Sequence, residues 1–113
     1  MDIKNQQQIT RLAEEIGEEN VPVLLEIFLG ELNTYISNLS QPESVDKYVY
    51  LSEISHALKS SAASFGADQL CQQARDIDAR AKAGITLTLT DDLQPMLELL
   101  RSTEQAYQQL ASQ

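Results

Sequence analysis

The chain has 113 residues, is 42% hydrophobic and lacks tryptophan, and its 17 acidic against 8 basic side chains give a formal net charge of −9. That length suits one domain, residues 1–113, with a single modest core. No apolar run is long enough to span a bilayer and no charged-then-apolar signal segment opens the chain. Acidity of this size argues against nucleic acid, which needs a clustered basic face, and suits a small, soluble monomer. The single cysteine, Cys71, cannot form an internal disulfide, so a reducing, cytoplasmic setting is expected, with Cys71 packed as a small hydrophobe.

Every long segment reads as helix. The first runs from Asn5 to Ile16, with Ile9, Leu12, Ala13 and Ile16 on one face and Gly17 as its stop. Asn20 reads as the N-cap of the second, which accepts Pro22 in its first turn and buries Val21, Leu24, Leu25, Phe28, Leu32, Tyr35, Ile36 and Leu39. Ser40-Gln41-Pro42-Glu43-Ser44 has the composition of a loop. The third helix starts near Val45–Tyr48 and should end at Gly66, with Leu51, Ile54, Leu58, Ser61, Ala62 and Phe65 in one stripe. A fourth follows from about Ala67 to Ala83, turning Leu70, Ala74, Ile77 and Ala81 inward, and stops at Gly84. Ile85 to Thr90 alternates like a strand but is too short and reads as a connector. Pro95 belongs in the first turn of the last helix, which makes Asp92 its expected N-cap and Leu93, Met96, Leu97, Leu100, Tyr107 and Leu110 its buried face. Short connections between long helices imply antiparallel neighbours. The expected fold is all-α: an up-and-down antiparallel four-helix bundle with a short additional N-terminal helix.

The one histidine, His56, lies about 165° from the centre of the third helix's apolar stripe, facing outward. Its neighbours on that face are Ser52, Lys59, Ser60 and Ala63, short apart from one cation. An open imidazole with a lysine one turn along suits a ring that a second protein must reach and that must carry an anionic group. A metal site lacks further histidines and clustered cysteines, and no glycine-rich phosphate loop is present for ATP. No cofactor is expected.

The spacing H-x-L-K-x-S-[AS]-x-x-F-G, from His56 to Gly66, resembles the signature of histidine phosphotransfer (Hpt) domains. Val21 to Glu31 and Glu53 to Cys71 are similar to Hpt carriers of bacterial quorum-sensing phosphorelays, and the similarity runs along most of the chain. The resemblance implies a four-helix bundle and a phosphoryl carrier of two-component signalling. It implies that the receiver domain of a membrane-bound hybrid sensor kinase donates the group, and that a response regulator takes it. His56 would then be the phosphorylated residue, its neutral imidazole attacking an aspartyl phosphate. Lys59, three residues on, can reach a phosphate on that ring. Ser60 stands where the Hpt pattern most often has glycine and is still small enough for close approach. Folding the hairpin about Gly66–Ala67 places residue 77 or 78 opposite His56, so Asp78 is the polar candidate to orient the ring. Many Hpt domains have glutamine there, so Asp78 is a departure, and an ordinary exposed aspartate is an equal reading.

Ser61 to Ser64 read as small residues for close helix packing. Arg75, Arg80 and Lys82 form either a basic rim for an acidic receiver pocket or a solvated helix face. Two rivals are a silent helical adaptor that docks a signalling partner and a hydrolase using His56 as general base. The adaptor has no need of His56 with Lys59, and the hydrolase lacks a nucleophile and an oxyanion donor.

Overall fold

Polar caps at Asn5 and Asp46 and positive-φ glycines at Gly17, Gly66 and Gly84 punctuate five helices among the described residues. The computed structural model describes residues 4–40 and 46–111. The helices are α1 (Gln6–Ile16), α2 (Val21–Ser40), α3 (Lys47–Ser64), α4 (Asp68–Lys82) and α5 (Gln94–Ala111), and no strand occurs among the described residues. Asn5 caps α1, its side-chain oxygen accepting the N–H groups of Gln7 and Gln8. Asp46 does the same for α3 with Tyr48 and Val49. Residues 41–44 of the expected loop, with Val45, lie outside the described residues, and Ser40 closes α2.

Two expected caps differ. Asn20 ends a 3-10 turn, Glu18–Asn20, that runs straight into α2, and its amide donates backward to the Ile16 carbonyl. It therefore closes α1 instead of opening α2. At the other junction the cap is Thr88, whose hydroxyl accepts the Asp91 N–H. A π-helical turn, Leu89–Leu93, leads from it into α5. Asp92 sits buried in that turn, accepts the Thr88 N–H at 2.8 Å and forms an ion pair with Arg80 of α4. Asp92 is drawn inward because Arg80 supplies the charge it needs, and the cap moves four residues upstream.

The contacts run antiparallel. Phe28, Asn33 and Ser40 of α2 meet Tyr107, Glu104 and Arg101 of α5 in descending order. Tyr35 and Asn38 meet Tyr50 across α2 and α3, and Lys59 and His56 meet Cys71 and Asp78 across α3 and α4. The inward faces close on one core that includes Leu25, Phe28, Leu32, Leu51, Leu58, Leu70, Ile77, Met96 and Leu100. At one end of it Phe65 stacks on Phe28 with centroids 4.8 Å apart, and Tyr107 stands edge-on to both. The Tyr107 hydroxyl donates to the Phe65 carbonyl, and burial pushes its phenol above the ordinary range, so it stays a donor.

Those contacts fix the α3–α4 turn, and α1 fixes it again. The Asn5 N–H donates to the Gly66 carbonyl at 2.6 Å, and the Asn5 side-chain amide donates to Asp68 at 2.9 Å. Gly66 takes φ 71°, which L side chains rarely adopt, and it leaves no room for one. The molecule is thus an up-and-down antiparallel four-helix bundle, α2 to α5, with α1 lying across the α3–α4 turn.

Candidate functional site

The turn at Gly66 sets the register of the α3–α4 hairpin, and that register brings α3's His56 to α4's Asp78. His56 Nδ1 lies 3.3 Å from Asp78 Oδ1. The imidazole is 65% exposed while the carboxylate beneath it is only 8% exposed. Asp78 Oδ2 accepts two further hydrogen bonds, from Lys59 Nζ at 2.6 Å and from Lys82 Nζ at 2.9 Å. One buried carboxylate therefore serves three partners, its first oxygen turned to the imidazole and its second shared by two ammoniums.

This geometry has chemical consequences for the ring. A carboxylate can only accept, so the contact selects the tautomer with the proton on Nδ1. Nε2 is then left with its lone pair on the far, solvent-facing side of the ring. The Lys59 hydrogen bond, followed by that of Lys82, holds the Asp78 carboxyl well below the usual carboxylate range against the opposing pull of burial. The same contact raises the Lys82 ammonium. With Asp78 ionised, two lysines leave one positive charge in excess beneath the imidazole, in a chain whose net charge is −9.

Ser60 is exposed one turn along α3 from His56, and Ala63 is half-buried beyond it. Small side chains thus continue the face on that side. On the other side Val49 and Tyr48 of α3 and Ile85 after α4 are exposed, and with Ser52, Glu53 and Ala81 they line an open apolar concavity. The three basic residues of α4 separate. Lys82 joins the site, Arg80 turns away to Asp76 and the buried Asp92, and exposed Arg75 lines a shallow depression with Gln8, Ala63 and Gln72. Cys71 is buried, its thiol 3.5 Å from the Lys59 carbonyl. Among the described residues no group of three or more His, Cys, Asp or Glu side chains could hold a metal ion. Lys82, expected with Arg75 and Arg80 in a basic rim or on a solvated face, instead joins the cluster. Its signal was the Asp-x-x-x-Lys spacing from Asp78, which puts both on one helix face.

The profile of the Hpt domain family matches residues 23–112. The chain is 58% identical over 106 residues to the phosphorelay protein LuxU of Vibrio cholerae serotype O1, covering 94% of each chain. It is 57% identical to the phosphorelay protein LuxU of Vibrio vulnificus, covering 95% of this chain and 93% of that one. With the protein of the same name from Vibrio harveyi the figures are 53%, 94% and 93%. No solved structure matches. A family profile spanning most of the chain and relatives this similar from end to end show that the chain belongs to the Hpt domain family.

Proposed function

We propose that this chain is a phosphoryl carrier of a bacterial phosphorelay in which His56 takes the group from a receiver-domain aspartate and passes it to another. The observation that carries this reading is the pairing of an exposed Nε2 with a Nδ1 held by Asp78. In the forward step the Nε2 lone pair attacks phosphorus, the N–P bond forms, and the P–O bond to the aspartate breaks. The aspartate leaves as a carboxylate with the electron pair, so no proton has to move. Positive charge develops on the ring, and the Asp78 carboxylate at Nδ1 stabilises it. Onward transfer is the reverse: the ring leaves with the pair on Nε2 and the proton still on Nδ1. Lys59, which now points at Asp78, is within a rotamer change of the phosphoryl oxygens and offsets their charge as a mobile point charge. Ser60 leaves space for the receiver to approach.

The relatives' names, phosphorelay protein, and the resemblance to quorum-sensing carriers support a place between a hybrid sensor kinase and a response regulator. No helix of the structure is long and apolar enough to cross a membrane, and we place the carrier in the cytoplasm as a monomer. It receives phosphate from a protein and does no ATP chemistry of its own. A silent adaptor would not require a buried carboxylate beneath an exposed histidine.

The test is incubation of the purified chain with a phosphorylated receiver domain. Acid-labile, base-stable phosphate should appear on the chain and be absent from His56→Ala, whose circular dichroism and melting should match wild type. Phosphate on His56→Ala, or none on wild type, would overturn the assignment.

A further inference from the structure

Asp78 stabilises the ring through Nδ1 but repels the phosphoryl group that the same ring must carry. A phosphoryl group brings close to two negative charges, and here it would sit on the ring whose other nitrogen faces a carboxylate. In the resting site Oδ2 accepts from two ammoniums, although one is enough to balance it. We propose that Lys82 is a positioning residue for transfer: it stays on Asp78 when Lys59 leaves for the phosphoryl group, so the carboxylate beneath the ring remains balanced. This rests on the phosphoryl-carrier reading above and assigns a task within it.

Placement divides the two lysines. Lys59 shares a helix and a face with His56, three residues away, so its stem reaches either the ring's substituent or Asp78. Lys82 lies four residues beyond Asp78 on α4, the spacing at which a lysine naturally covers a preceding aspartate. The only other acid on His56's own helix within a turn is exposed Glu53; of the other α4 cations, Arg75 is exposed and Arg80 is paired with Asp76 and Asp92. Before phosphorylation Asp78 and its two lysines carry one positive charge in excess. The phosphoryl group then adds close to two negative charges and the ring, with Nδ1 still protonated, one positive, so the cluster ends close to neutral. Without Lys82 it would hold about one net negative charge, and Lys59 would have to serve two anions at once. An unbalanced Asp78 also favours the protonated phosphoimidazole. In hydrolysis water attacks phosphorus, the N–P bond breaks, and that ring departs more easily because it already carries its Nδ1 proton. Lys82 thereby lengthens the life of the carried phosphate.

The full-length chain is treated with potassium phosphoramidate at low salt, and the phosphohistidine and its decay are followed by phosphorus NMR. Lys82→Gln should shorten the half-life about three- to fivefold, the range open to an exposed charge pair, with Lys82→Arg restoring most of it. In an Asp78→Asn background Lys82→Gln should change nothing, because its partner has lost its charge. Melting curves show that each variant is folded. A half-life for Lys82→Gln equal to wild type overturns the proposal. An equal loss in the Asp78→Asn background also overturns it, by placing Lys82 on the phosphate itself. If wild type gains no phosphohistidine, or His56→Asn gains as much, the carrier reading fails instead.

Discussion

Lys59 holds Asp78 at 2.6 Å with its side chain 30% exposed, so it is neither a loose surface cation nor part of the core. If it offsets charge on the moving phosphoryl group, Lys59→Ala should slow transfer about tenfold or more at saturating receiver. Lys59→Arg should recover only part of that, since a planar fork does not replace a compact point charge. Single-turnover transfer beside a binding titration at two salt concentrations checks this. An unchanged saturating rate with weaker, less salt-dependent binding would assign Lys59 to docking. Asp78 makes a pH-dependent contribution whose sign follows from its lowered carboxyl. The ionised form is the one the lysines stabilise, so the contribution is complete above the ordinary value of 3.8 and is lost as pH falls from there through the lower folded value. Melting temperatures from pH 6 to pH 2 should therefore fall more for wild type than for Asp78→Asn. Parallel curves would refute it. The facing of His56 and Asp78 was legible in the sequence because Gly66 marks the turn and the residues can be counted out from it. The double occupancy of Oδ2 was not, since it depends on two flexible lysine stems choosing the same atom.

At the scale of the element, the α3–α4 hairpin depends on a single glycine. A Cβ on Gly66 would lie 2.5 Å from the Asn5 carbonyl oxygen, on a backbone already at φ 71°. Gly66→Ala should destabilise the chain by about 1–3 kcal/mol from backbone strain, and it should also loosen α1, whose N-terminus occupies that space. Urea denaturation measures the first effect, and faster proteolysis within α1 reports the second. A loss below about 0.5 kcal/mol would mean that the turn accommodates a side chain. The helix stops were readable because glycine has few other reasons to stand there. The starts at Asn20 and Asp92 were misread for a complementary reason: short polar side chains can cap forward, bond backward or pair across the fold. Only the Ile16 carbonyl in one case and Arg80 in the other settle which they do.

For the whole molecule, five stretches of 3.6-residue periodicity specify the bundle and most of its buried face. The stacking of Phe28, Phe65 and Tyr107 is not legible in the sequence, because rings from α2, the α3–α4 turn and α5 meet only once every crossing is set. Phe65→Ala should cost about 3–5 kcal/mol by emptying the centre of that cluster. A shift under about 1 kcal/mol in chemical denaturation would contradict the packing. Phosphate acceptance by the folded fraction should survive, since Phe65 lies on the opposite face of α3 from His56.

The rings and the Asn5 contacts grip the α3–α4 pair at its turn, while Arg80 and Asp92 grip α4 near its far end. What such end clamps forbid is shear. A slip of α4 along α3 by one residue is about 1.5 Å, enough to take Asp78 out of reach of a ring it now meets at 3.3 Å. In the relay proposed above, donor and acceptor would therefore find the same nitrogen presented at the same angle. Alignment is stored in the ends of the hairpin, away from the surface that wears the contact.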